Sequence, residues 1–380
     1  MEPRTHETAV SRREVLCAGG AAAFSALVAG LLGTAKPARA QPLTGSVPEV
    51  DRLAVRVVTD SYHLALAPST KVNGVEVQRY GFPVSAQPPR KALVSEFGLS
   101  LHLESQRGGE VRHILLDFGY TPETLNNNLE VFGVSADKLD ALVLSHGHFD
   151  HFGGLVGFLR ANTGKLKAHL PLYLGGEECF CTRELTIGGQ VNNFGALDRT
   201  ALAEANVKVT FAEGPAIVAD HAFTTGQIAR ATFERVLSPT RMTIGLADGL
   251  GCFPDAFPED KRTAKVIPDE FDHEHATCCH VKGRGLVVLT SCGHRGVVNS
   301  VRRAMAVSGV NKVHAVLGGF HLAPHQEEYV RNTVLALKYI NPDVVMPMHC
   351  TGEVFIDIMA KEMPGKLVRS YTGSRYIFSA

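Results

Sequence analysis

The chain is expected to fold as a layered α/β protein whose strands deliver their carboxyl ends to one edge. Three observations predict this. Apolar strand-like runs alternate with helical patterns along most of the sequence, and four of those runs stop at a histidine. One of them, "LVLSHGHFDHFGG" (142–154), crowds three imidazoles and a carboxylate into six positions. Alternation of this kind builds sheets covered by helices, and ligands bind outside the carboxyl ends of such strands.

In chain order, "LAVRVVTD" (53–60) reads as the first strand. "ALVSEFGLSLHLES" (92–105) and "VRHILLDFG" (111–119) read as two more, separated by the turn "QRGGE". "TPETLNNNLEVFGV" (121–134) starts a helix, with Thr121 placed as N-cap and Pro122 at the first helical position. "LDALVLS" (139–145) is a continuous apolar run, the pattern of a strand covered on both faces, and "GGLVGFLRAN" (153–162) is the helix behind it. The same order recurs three times. "GLVVLTSCGH" ends at His294, "VHAVLGGFH" at His321 and "DVVMPMHC" just past His349, and each hands over to a helical pattern. The segments 175–200 and 238–272 read as insertions around a site within one domain, 53–380.

Composition narrows the function. The 380 residues are 45% hydrophobic and 20% charged, ordinary for a globular chain. Lys plus Arg equals Asp plus Glu at 38 each, and no basic run is interleaved with aromatics, so no nucleic-acid partner is expected. Residues 1–40 read as a twin-arginine export signal: Arg12-Arg13 precede a small-residue apolar stretch, and "ARA" at 38–40 offers cleavage before Gln41. The export machinery is therefore an expected partner, the mature protein is expected in the periplasm, and 41–52 is expected as a linker. Eight cysteines are present, seven once Cys17 leaves with the signal. That odd count argues against a disulfide framework, and "CFC" (179–181) and "CCH" (278–280) lack C-x-x-C spacing, so they read as buried free thiols.

In the quoted stretch, His146 and His148 lie on one side of an extended segment, because side chains alternate with a period of two. Asp150 and His151 follow after the chain turns and can address a second point. Imidazole nitrogen with one carboxylate suits Zn²⁺, with Fe²⁺ or Mn²⁺ also compatible. Gly147, Gly153 and Gly154 give the loop its tight path.

"SHGHFDH" matches the H-x-H-x-D-H signature of the metallo-β-lactamase superfamily, and "LLDFG" (115–119) resembles its early Asp-bearing strand end. "EFGLSLHLE", "LDALVLSHGHFDHFGGL", "VVLTSCGHRGVVN", "GGFHL" and "MHCTG" resemble more narrowly its dihydropterin–ribofuranosylaminobenzene phosphate synthase-like branch, over most of 53–380. The resemblance implies an αββα sandwich. It implies His146 and His148 on one metal, Asp150 and His151 on a second, and His294 and His349 completing two zinc sites. Where much of the superfamily has a bridging Asp from an intervening strand end, this chain shows no clear one, so His294 or His321 would substitute or the second site would be weaker. His321 is otherwise a substrate contact, Asp117 an orienting carboxylate, and "HEH" (273–275) a further candidate. The implied chemistry is hydrolysis of a small ester, lactone or phosphoester by a metal-bound hydroxide, with Asp150 moving the proton. The alternatives are group transfer to a pterin precursor and a metal-binding receptor without turnover. Redox di-iron chemistry is disfavoured, because the oxidoreductase relatives carry Glu where this chain has His148.

Overall fold

The computed structural model describes residues 38–40, 43, 45–81, 88, 90–238 and 240–380. The twin-arginine pair and the apolar run of the expected export signal lie outside these residues.

Two large sheets carry the fold. The first has ten strands in the order Ala38–Arg39, Lys208–Phe211, Pro171–Leu174, Ala141–Val143, Glu110–Leu116, Ser100–Arg107, Arg52–Thr59, Arg375–Ser379, Val75–Gln78 and Thr70–Val72. The second runs Ala216–Val218, Ala222–Thr224, Thr277–Val281, Gly285–Thr290, Val313–Gly319 and Val344–Met348, with Glu49–Val50 pairing beside Thr277–Val281. Period-two alternation divides the apolar side chains between layers. Ile114, Leu116, Ala141, Val143, Val287, Leu289, Ala315, Leu317, Val344 and Met346 form one core between the sheets. Their neighbours Leu115 and Leu142 turn outward onto the helices Pro122–Val131 and Leu155–Ala161. Leu286, Val288, Val316 and Val345 turn the other way, onto Val297–Ser308, Glu327–Ile340 and Glu353–Glu362. Helix, sheet, sheet, helix is the αββα sandwich.

The helices begin and end where local chemistry says they should. Thr121 caps Pro122–Val131 by accepting from the Thr124 amide, and Pro122 stands at the first turn. Val297–Ser308 ends at Gly309 in the left-handed conformation, φ 70°. Strands Glu110–Leu116, Ala141–Val143 and Pro171–Leu174 are mutually parallel, as are Gly285–Thr290, Val313–Gly319 and Val344–Met348. Their carboxyl ends therefore open on the same edge of each sheet, and all four strand-end histidines follow them.

Three expectations need correction. The segment 92–99 is not strand: Gly98 sits at φ 157°, a Cβ there would meet the Tyr120 nitrogen at 2.7 Å, and the Leu99 amide donates to Asp150. Its backbone is committed to the loop carrying Asp150 instead of to a ladder. The segment 41–52 is not only a linker, since Glu49–Val50 pairs with His280–Val281 and Val47 and Val50 are buried. The insertions build a four-stranded sheet, Gln190–Asn193, Thr182–Ile187, Thr240–Thr243 and Val266–Pro268, and a Cys181–Cys252 disulfide ties the two segments together. Counting thiols for a framework could not reveal a single pair 71 residues apart. Cys179, Cys278 and Cys279 are buried and free, so "CFC" is half as expected and "CCH" wholly so.

Candidate metal centre

The loop after Ala141–Val143 is held from below. Asp117, at φ 56° beyond the neighbouring strand, accepts from the Ser145 amide at 2.8 Å and from the Ser145 hydroxyl at 2.7 Å. With its proton on Asp117, Ser145 Oγ accepts from His146 Nδ1 at 2.9 Å, which leaves His146 Nε2 as the free lone pair. His151 Nδ1 donates to Asp117 Oδ2 at 2.8 Å and leaves its own Nε2 free. His148 Nε2 meets Thr240 Oγ1 at 3.2 Å. Asp117, directly and through the Ser145 hydroxyl, thus fixes two tautomers, as orienting partners behind metal-ligating imidazoles do.

Two triads result. Ligand atoms of His146, His148 and His294 lie within 4.8 Å of one another, and so do those of Asp150, His151 and His349. In the second triad His349 Nε2 is 3.1 Å from Asp150 Oδ2, His151 Nε2 is 3.2 Å from His349 Nε2, and His151 Nε2 is 3.6 Å from Asp150 Oδ2. Ligands on tetrahedral bonds of about 2.1 Å stand about 3.4 Å apart, so the spacing fits one cation. The first triad is orphaned as well: His146 Nε2 and both nitrogens of His294 are buried without a hydrogen-bond partner, as are His349 Nδ1 and Asp150 Oδ1. Buried polar atoms without partners are costly and rare, and here they converge. The residues fit a dinuclear centre.

Electrostatics agree. Burial holds His146 and His294 well below the usual imidazole range and His148 at about 3, so all three are neutral at physiological pH, the form that can offer a lone pair to a cation. Burial opposes charge on His349, yet Cys350 and Asp150 lift it to about 9.

His321 and His349 lie at φ 46° and 51°, a strained conformation for such residues and one that clusters at functional sites. His321 Nε2 donates to the Leu237 carbonyl at 2.9 Å, and its ring lies 4.1 Å from that of His294. It borders the centre on the His294 side. The "HEH" segment works from behind. His273 Nε2 accepts from the Gly147 amide at 3.1 Å and its Nδ1 meets Glu178, while Glu274 accepts from the His294 and Arg295 amides. Neither His273 nor His275 joins either triad.

Sequence reasoning missed what the insertions do. Thr240 anchors His148, Phe271 stacks on His294 at 3.8 Å, and Phe194 lies edge-on to His148. Arg183 is fully buried, paired to Asp269 at 2.6 Å, and packs beneath Gly147, where a Cβ would meet its Nη1 at 2.4 Å. Close approach, not positive φ, is why Gly147 is glycine. Asp60 was also missed: it accepts from the His349 amide at 3.0 Å. Phe97, 58% exposed, lies 4.9 Å from the His349 ring, and Phe194, which also lies against His148, is 6.3 Å from Phe149.

A layered sandwich with this histidine-rich edge has clear relatives. The metallo-beta-lactamase superfamily profile matches residues 107–174. The chain is 26% identical over 283 residues, 73% of its length and 89% of the relative's, to the 7,8-dihydropterin-6-methyl-4-(beta-D-ribofuranosyl)-aminobenzene-5'-phosphate synthase of Methanocaldococcus jannaschii. It is 26% identical over 265 residues, 69% of its length and 86% of the relative's, to an uncharacterized protein of the same organism. Among solved structures, Tm1679, a metal-dependent hydrolase of the β-lactamase superfamily, shares the fold at TM-score 0.61 and 21% identity, covering 85% of this chain and 98% of that one. The chain thus shares the metallo-β-lactamase fold, and its sequence is similar to that superfamily and to the dihydropterin synthase relative.

Proposed function

We propose that the chain is a divalent-metal-dependent hydrolase, zinc being the ion its donors suit best, acting on a small ester, lactone or phosphoester after twin-arginine export to the periplasm. The observation that carries this reading is the convergence of two ligand triads, with His146 Nε2, both His294 nitrogens and Asp150 Oδ1 buried and without a protein partner. His146, His148 and His294 would hold one cation, and Asp150, His151 and His349 the other. Cations there would supply Lewis acidity towards the carbonyl or phosphoryl oxygen and make water more acidic.

Asp150 divides its labour between two oxygens. Oδ2 faces His349 and His151, while Oδ1 is buried and unpartnered, free to accept a proton and return it to a leaving group. Phe97, Phe149 and Phe194 offer an apolar seat for the rest of a substrate. The Cys181–Cys252 disulfide supports an oxidising compartment, where such bonds persist. It would close after export.

The test is Asp150→Asn against wild type on activated carboxyl esters, lactones and phosphodiesters with zinc supplied. Turnover of at least one class is expected, falling by about a hundred- to ten-thousand-fold in the variant. If wild type is inert on all classes, or the variant matches it, the hydrolase reading fails. Group transfer is the second reading, favoured by the synthase relative. A wild type that turns over no ester but joins a dihydropterin to an aminobenzene riboside phosphate would put it first.

A further inference from the structure

We infer that Cys292 is the residue that bridges the two metal positions, a thiolate in the place of the Asp that this chain lacks. The inference rests on the metal-centre reading and assigns one more ligand to it.

Cys292 follows the Gly285–Thr290 strand, two residues before His294. Its Sγ shares ligand spacing with His146 and His151, with His294 and His321, and with His349 and Cys350. Among the described residues it is therefore a donor within reach of both triads, whereas Asp150 groups only with its own. The carboxylates nearby are already engaged. Asp117 serves Ser145 and His151, Asp269 serves Arg183 and the Phe271 amide, and both oxygens of Glu274 take backbone amides. Asp60 gives Oδ1 to the Ser61 and His349 amides, and among the described residues no carboxylate shares ligand spacing with both triads.

The surroundings are not those of an ordinary core thiol. Cys278 and Cys279 point into apolar cores made by their strand. Cys292 is ringed instead by imidazoles, among them the unpartnered nitrogens of His146, His294 and His349, all at least nine-tenths buried. Its protein neighbours are Cys350 Sγ at 3.1 Å and His321 Nδ1 at 3.7 Å. Gly319 makes the room, because a Cβ there would meet Cys350 Sγ at 3.0 Å and Ser291 O at 2.3 Å. Charge gives the reason for sulfur. Two divalent cations among neutral imidazoles have only Asp150 to offset them, and a buried charge excess is costly. A deprotonated thiol adds a second negative charge and is a natural ligand for zinc.

The test uses the full chain, kept reduced and loaded with Co²⁺ alone, then with Zn²⁺ alone. Wild type should bind two cobalt ions and show the near-ultraviolet band of thiolate-to-cobalt charge transfer. Cys292→Ser should lose that band, and Cys350→Ser should keep it. Zinc X-ray absorption on wild type should show a sulfur neighbour at about 2.3 Å, a result that stands even if Cys292→Ser fails to fold. Two bound ions with no sulfur signal in either measurement would overturn the bridge while leaving the metal centre intact. A band lost in Cys350→Ser but kept in Cys292→Ser would also overturn it. No metal binding at all would overturn both.

Discussion

His151 Nδ1 lies 2.8 Å from Asp117 Oδ2, both side chains fully buried, and the same oxygen takes the Ser145 hydroxyl. One carboxylate thus sets the tautomer of His151 directly and that of His146 through Ser145, one residue from each triad. Asp117→Ala should therefore weaken metal binding at both positions, by about 10- to 100-fold. Titration with a competing chromophoric chelator reads this directly. Unchanged affinity at both positions would show that the imidazoles orient themselves.

The Cys181–Cys252 bond closes a loop across 71 residues. In the chain-entropy picture a loop of that size contributes about 4 kcal/mol. Reduction, or Cys181→Ser with Cys252→Ser, should lower the thermal midpoint and first loosen the insertion sheet that carries Thr240 and Arg183. Hydrogen exchange should show protection lost in 182–193 and 240–268 before it is lost in the two large sheets.

His102 gives a pH test away from the metal centre. Burial, helped by His113 at 3.1 Å, depresses it to about 3. The unfolded chain titrates it near 6.5, so between about pH 6.5 and 3 the unfolded state binds more protons. Its stability contribution is present above 6.5 and lost as pH falls towards 3, at no more than about 1.4 kcal/mol per pH unit. His102→Gln should flatten the acid side of the midpoint-against-pH curve relative to wild type. An unchanged slope would mean that His102 takes up its proton without unfolding.

Export rests on Arg12-Arg13, outside the described residues. Changing both to Lys should block periplasmic delivery, because the twin-arginine receptor reads the guanidinium pair and other routes need only positive charge. Unchanged delivery would contradict the signal.

What the sequence revealed was local. The Thr121 cap, Pro122 and the helix at 327–340 lie where residue chemistry within one turn puts them. The histidines of the opening loop were legible because their spacing is itself the signal. What was hidden is long-range: Thr240 reaches His148 across 92 positions, and Asp60 reaches His349 across 289. No short pattern encodes such a pairing. Cys292 drew no reading of its own, because a lone cysteine, here between Ser291 and Gly293, reads by default as core. The 92–99 error has the same root, because the Asp150 loop competes for that backbone only once folded.

The central claim is that the two triads hold metal, and metal counting tests it most directly. Purified mature protein, dialysed and analysed by mass spectrometry of its elements, should carry between one and two transition-metal ions per chain, mostly zinc. His146→Ala with His148→Ala should remove at least one of them while circular dichroism shows the fold retained. Full metal occupancy in that folded double variant would contradict the account.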